Sequence, residues 1–187
     1  DVMFFDTDGE ETVQAKSMFP IFDAPDAPLY QQKWQTALPG SFFDDLDGQP
    51  PAVRSYKGLC DVYYGPIPTD RRDMWHNHVN YYLNCYLDVD RHIGAVLDAL
   101  EASGQADDTI IIFTSDHGEM GGAHHLRQKG SVAFRESVNV PLVIVDPRHP
   151  GGGRTDAVGS HLDLVPTILA YAGLPEAQRQ QRYPSLK

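Results

Sequence analysis

The residues best suited to chemistry lie in one stretch, Ser115-Asp116-His117-Gly118-Glu119-Met120-Gly121-Gly122-Ala123-His124-His125-Leu126-Arg127-Gln128-Lys129-Gly130. It follows Thr109-Ile110-Ile111-Ile112-Phe113-Thr114, a β-branched run that reads as a strand. In open α/β sheets, ligands gather beyond the carboxyl ends of strands. A carboxylate followed at once by an imidazole, both leaving a rigid strand, can turn Asp116 and His117 toward one metal ion. Gly118, Gly121 and Gly122 let the backbone approach a ligand without side-chain obstruction. Lys129, thirteen residues after Asp116, can return a positive charge to the same pocket. Two plainer readings stand beside this one. Asp-His-Gly after a strand is ordinary turn chemistry, and a lone Lys129 fits a solvated surface. A nucleotide P-loop is excluded, because no G-x-x-x-x-G-K-S/T pattern surrounds the lysine.

Such residues need elements to hold them. Trp75, Val79, Tyr82, Tyr86, Val89, Ile93, Val96 and Leu100 recur in steps of three and four, one apolar stripe that predicts a helix over 73–103. Asp70 or Asp73 is placed to cap its start and Gly104 to end it, with an Asp88–Arg91 surface pair three residues apart. The Ile-rich run and a second one, Leu142 to Val145, lack alternation, which predicts strands covered on both faces as in a parallel sheet. Gly151-Gly152-Gly153 reads as a surface loop. A last helix is expected after Ser160-His161, with Pro166 in its first turn and Gly173 closing it. Helix, strand, loop, strand and helix together predict a layered α/β fold. The front of the chain, 1–69, is loop-rich: Pro20, Pro25, Pro28, Pro39, Pro50 and Pro51 punctuate it. A helix is expected within 54–64, and Trp34, Phe42, Phe43, Tyr63 and Tyr64 should seek burial.

The chain has 187 residues, 41% hydrophobic and 22% charged, enough to bury one sizeable core. Fifteen basic against 26 acidic residues give a net charge of −11, which disfavours nucleic-acid binding. An anionic substrate must therefore be drawn in by a local positive centre. No apolar run approaches the ~20 residues that span a bilayer, so no membrane partner is expected. Cys60 and Cys85 form neither a disulfide framework nor a CxxC pair. His76 and His78 lie two apart on the predicted helix and face different directions, which argues against a shared metal. Asp44-Asp45 reads as solvated loop. The start at Asp1, without initiator Met or signal pattern, leads us to expect a chain that begins mid-protein, its compartment open between cytoplasmic and periplasmic or secreted.

Taken together, Thr114 to Met120, His124, Lys129-Gly130 and Glu136-Ser137-Val138-Asn139-Val140-Pro141-Leu142 resemble the sulfatase family of the alkaline-phosphatase superfamily, arylsulfatases and choline sulfatases among them. Ser160-His161-Leu162-Asp163-Leu164-Val165-Pro166-Thr167 and the Asp88 to Leu100 helix are similar to it as well. The opening Asp1-Val2-Met3-Phe4-Phe5-Asp6 is similar to the segment after an Asn-Pro-His turn in bacterial members. The resemblance implies the C-terminal part of an α/β/α sandwich of alkaline-phosphatase type. It divides 1–187, as one partial catalytic domain, into the loop-rich 1–69, an α/β core with the metal-site loop over 70–175, and the start of a following segment at 176–187. It further implies hydrolysis of a small sulfate ester by a formylglycine and a divalent metal, commonly Ca²⁺, with Mg²⁺, Mn²⁺ or Zn²⁺ as alternatives. Asp116 and His117 would match metal ligands, with Asp116 also helping to activate the nucleophile. Lys129 would match the lysine that holds the sulfate and its leaving oxygen, and His124 a substrate contact. His125 stands where the family usually has Gly. Glu119, Arg127 and Glu136 read as structural ion-pairing residues, and His161 as a capping or packing residue.

The formylglycine motif C/S-x-P-x-R, the early Asp pair and the Lys-x-His of the family are absent from this chain. The nucleophile is therefore expected upstream, and the isolated chain is expected to be inactive. Two alternatives remain open at this point. One is a phosphodiesterase or phosphonate hydrolase of the same superfamily; the other is a truncated, non-catalytic module.

Overall fold

The computed structural model describes residues 31–185, which divide between Pro147 and Arg148 into two compact units. The opening Asp1 to Asp6 and Pro20, Pro25 and Pro28 lie outside the described residues. In the first unit a short 3₁₀ turn, Gly40–Phe43, leads to α1 (Pro51–Tyr64) and α2 (Arg72–Ala102). Then come β1 (Ile111–Thr114), a 3₁₀ turn at Ala123–His125, the single-turn α3 (Arg135–Val138) and β2 (Leu142–Val145). The second unit holds a turn at His161–Asp163, α4 (Leu164–Tyr171) and α5 (Glu176–Arg182). Among the described residues no helix is long and apolar enough to cross a membrane.

Each helix follows from local chemistry. Pro51 starts α1 with its dihedral pre-set, and Gly65, at φ 78°, breaks it. α2 covers the expected span and ends at Gly104, whose φ of 70° is the left-handed conformation expected there. Its start differs from expectation. Neither Asp70 nor Asp73 caps it: Arg71 is the N-cap and grips Asp73 in a two-pronged pair of 2.9 and 2.7 Å. Arg91 pairs with Asp88 at 2.7 Å, a bond worth only a few tenths of a kcal/mol on an exposed surface. In the second unit, Ser160 and Asp163 exchange hydrogen bonds in a capping box, and Gly173, at φ 80°, follows α4.

Two expectations about burial are corrected. β1 and β2 pair antiparallel, Ile111 opposite Val145 and Thr114 opposite Leu142, rather than lying in a parallel sheet. All four residues of β2 are exposed, and Phe113 with them. A β-branched run reports the wish to be covered; it carries no strand direction. The α2 stripe divides likewise: Trp75 is buried and Tyr82 half-buried, while Tyr86, Val89 and Val96 face solvent. Phe43 and Tyr63 are also exposed, whereas Phe42 is buried.

The core lies at the front of α2 and beneath the loop after β1. Phe42, Ile67, Met74 and Trp75 form one cluster; Leu46, Met120, Ala123, Leu126 and Val132 form the other. Polar side chains dock the irregular front onto α2. Trp34 donates from its backbone to Asn80 and from its indole to Asn84, each at 2.8 Å, and Asn84 donates to the Gln32 carbonyl at 3.0 Å.

His78, buried on α2 beside Trp75, makes this core acid-sensitive. Burial, helped by the charge of Arg127, lowers it from 6.5 to about 4, and its Nε2 has no hydrogen-bond partner among the described residues. As pH falls below 6.5 the unfolded chain gains a proton that the folded chain refuses until about 4. Stability should therefore drop between those values by ~3 kcal/mol. Urea titrations at several pH values check this, and His78→Leu should flatten the slope.

Candidate functional site

The loop after β1 returns on itself, so that residues twelve apart meet. The Met120 N–H donates to the Gln128 carbonyl at 3.2 Å, and the Gly122 N–H to the Leu126 carbonyl at 2.9 Å. The apolar residues between, Met120, Ala123 and Leu126, turn inward as the loop's own core. At the open end lie Asp116, His117 and Lys129. Lys129 Nζ is 2.6 Å from His117 Nε2, and Asp116 Oδ2 is 3.3 Å from the same nitrogen.

The protons on this cluster can be placed. His117 Nδ1 lies 2.8 Å from the Gly118 carbonyl, which only accepts, so Nδ1 carries the proton. Nε2 is left with its lone pair, facing the Lys129 ammonium. That is the tautomer in which an imidazole ligates a metal, fixed here by a backbone carbonyl. Asp116 Oδ1 accepts from the His117 N–H at 3.0 Å. Partial desolvation pushes the Asp116 carboxyl upward, but that hydrogen bond and the positive charge of Lys129 hold it below its ordinary value. A carboxylate oxygen thus stands 3.3 Å from a bare imidazole nitrogen that itself faces an ammonium. Donors at right angles around an ion, each ~2.4 Å from it, stand about 3.4 Å apart, so the pair fits one edge of such a shell. Among the described residues no group of three or more His, Cys, Asp or Glu side chains could hold a metal by itself. His124 is not brought to this cluster. Its Nδ1 meets Asp44 Oδ2 at 2.8 Å, and its ring stacks on Phe134 at 4.0 Å.

The residues that brace the loop are the ones sequence reasoning described least well. Glu119, expected to form an ion pair, instead accepts two backbone N–H groups on one oxygen, from Gly121 at 3.2 Å and Gln128 at 2.7 Å. Burial raises its carboxyl above the ordinary range, against the pull of those two bonds. Arg127 donates to the Tyr64 and Gly65 carbonyls, satisfying the C-terminal end of α1. Glu136 accepts from the Ser41 hydroxyl at 2.9 Å. Ser137 holds both arms: its carbonyl accepts from Gly118 N–H at 2.8 Å, and its hydroxyl donates to the Lys129 carbonyl at 2.7 Å. Asp44, read from sequence as solvated, binds both the Leu46 N–H and His124. Partners 80 residues apart leave no local pattern.

Glu119→Ala should strip the acceptor from two backbone donors and cost about 2 kcal/mol, while Glu119→Gln, which keeps a carbonyl oxygen there, should recover most of it. Hydrogen exchange at the Gly121 and Gln128 amides checks both.

The same loop lies within the stretch that this chain shares with known proteins. The family model described as Sulfatase matches residues 10–174. The chain is 38% identical over 137 residues to "Uncharacterized sulfatase YidJ" of Escherichia coli (strain K12), covering 72% of this chain and 25% of that protein. It is 31% identical over 172 residues to a "Sulfatase" of Formosa agariphila, covering 86% of this chain and 33% of that one. Over 96 residues, 49% of this chain and 18% of the relative, it is 42% identical to "Multifunctional alkaline phosphatase superfamily protein PehA" of Trinickia caryophylli. The chain therefore spans a third or less of the length of these relatives. The match implies the α/β fold of alkaline-phosphatase type. Residues 31–185 display its helices and one two-stranded sheet rather than a three-layer sandwich.

Proposed function

Because the chain belongs to the sulfatase family, we propose that the protein hydrolyses a sulfate monoester and that Asp116, His117 and Lys129 are this chain's part of the site. The observation that carries the reading is a bare imidazole nitrogen with an ammonium 2.6 Å and a carboxylate oxygen 3.3 Å from it, at the mouth of a braced loop.

In this reading Asp116 and His117 hold a divalent cation, and Ca²⁺ suits the carboxylate. When bound, such an ion polarises the sulfate and acidifies the attacking hydroxyl. Asp116 stays ionised at all but acid pH, and the Gly118 carbonyl keeps the His117 lone pair pointed outward. Lys129 places its charge where the leaving oxygen becomes negative, an interaction stronger in the transition state than in the ground state. The nucleophile, a formylglycine here, is contributed by residues of the protein outside these 187. His124, tied to Asp44 and Phe134, shapes the loop beneath the substrate in this scheme.

A second reading, phosphodiester hydrolysis, draws support from the likeness to the multifunctional Trinickia protein. Turnover of 4-nitrophenyl sulfate against bis(4-nitrophenyl) phosphate by the full-length protein, nucleophile included, separates the two. The sulfate should be preferred by roughly tenfold or more, about 1.4 kcal/mol in transition-state binding, and the reverse preference would move the assignment to phosphoester chemistry. No turnover of either, with Ca²⁺ present and absent, would favour a non-catalytic module.

A further inference from the structure

A cavity of about 390 Å³, within the size range of small-molecule sites, opens where the Gly40–Phe43 turn meets the start of α2. Phe42, Phe43, Thr69, Asp70, Arg72 and His125 line it. Arg72 sets its guanidinium carbon 5.2 Å from the centre of the Phe43 ring. Its neighbour Arg71 is committed to Asp73, and among the described residues no carboxylate pairs with Arg72. In a chain of net charge −11, an unneutralised guanidinium against an exposed aromatic ring is a specific local attraction for anions.

His125 supplies the second observation. Its φ of 55° lies in the left-handed region, uncommon outside Gly although Asn, Asp and His enter it more often than other side chains. Its neighbour His124 shares that conformation but is accounted for by Asp44 and Phe134. The His125 imidazole has no hydrogen-bond partner among the described residues; it stands edge-on to Phe42 at 4.5 Å and faces the cavity. Burial, with the charges of Lys57 and His124, lowers its pKa, so it is neutral near pH 7 and offers one donor and one acceptor. Strain kept for a side chain that lines a cavity is strain that function can explain.

We propose that this cavity binds a sugar ring bearing a carboxylate. Arg72 holds the carboxylate, the Phe43 ring covers an apolar face of the sugar, and His125, Thr69 and Asp70 take its hydroxyls. Asp70 decides between a sugar and a flat aromatic acid. An ionised carboxylate only accepts hydrogen bonds, so it needs hydroxyl donors that an aromatic acid lacks. His125 and Lys129 are four positions apart, at most about 14 Å of chain. One sugar ester can therefore reach both, a link that alone rests on the sulfatase reading.

The test omits turnover and metal. With a chelator present, the protein is titrated calorimetrically with methyl β-glucuronide, methyl β-glucoside and benzoate. The glucuronide should bind roughly tenfold tighter than either of the others, and Arg72→Gln should erase that margin. His125→Gly, which relaxes the left-handed backbone, should weaken glucuronide binding about fivefold without lowering Tm. Absence of saturable glucuronide binding, equal affinity for glucoside, tighter binding of benzoate, or unchanged affinity in both variants would each overturn the proposal. Because no ester is hydrolysed, loss of the sulfatase reading would leave this result standing, and the converse holds too.

Discussion

In the full-length protein, Lys129→Ala is expected to lower kcat on an aryl sulfate by roughly 10²- to 10³-fold while changing folding stability by less than about 0.5 kcal/mol. The asymmetry follows from where the side chain sits. Lys129 is exposed, and its ammonium meets His117 Nε2. What the fold uses of this residue is its carbonyl, which accepts from the Ser137 hydroxyl and survives in alanine. The ammonium is thus spared for chemistry. Lys129→Arg should rescue only part of the rate, because a planar fork cannot place its charge where a point charge stood. Steady-state kinetics with a parallel thermal melt decide the matter. An unchanged kcat in Lys129→Ala would remove Lys129 from the mechanism.

How far the sequence foretold this arrangement depended on whether the determinant was local. The steps of three and four from Trp75 to Leu100 located α2 to within a residue at each end, because helix periodicity is written in consecutive turns. Gly104 and Gly173 fell where left-handed residues belong for the same reason. The Asp116-His117 pair was legible by adjacency, and Lys129 by its place in the same loop. Strand direction was not legible. Ile111 to Thr114 and Leu142 to Val145 carry the composition of doubly covered strands, yet pair antiparallel with β2 exposed. Nor could composition show that Glu119 would turn away from cations to hold backbone amides, or that Asp44 would reach His124. The first is set by how the loop closes on itself, the second by long-range docking of the 40–48 segment.

Strain adds a further layer to the same loop. Leu46, His124, His125 and Gln128 are the described non-glycine residues with positive φ, and all lie in or against the return loop. Each costs of order 1 kcal/mol or more, and together they persist only because buried contacts over-determine the path. Leu126 and Ala123 beneath them have no exposed surface, and Arg127 is pinned to the end of α1. The hydrophobic cluster under the loop thus offsets its backbone cost, which connects a small core to the aim of Lys129.

The same logic makes Gly118→Ala a severely damaging substitution. A β-carbon there would stand 1.9 Å from the Glu136 carbonyl oxygen, a backbone atom with no rotamer to yield. Relief requires the loop to separate from 136–137, which breaks the Gly118 to Ser137 bond and loosens the Ser137 hold on Lys129. Overpacking and one lost buried hydrogen bond sum to ~3 kcal/mol or more. Gly121→Ala is the control, since φ there is 52° but nothing lies within 4 Å of the added carbon. It should cost only ~1 kcal/mol, the ordinary penalty of left-handed backbone. Denaturant unfolding of the two variants separates close approach from backbone conformation; equal losses would mean that the Gly118–Ser137 seam does not set the loop. Activity should follow the same order, because Gly118 also supplies the carbonyl that orients His117. A shift of the Gly118 backbone therefore misdirects the imidazole and the ammonium together.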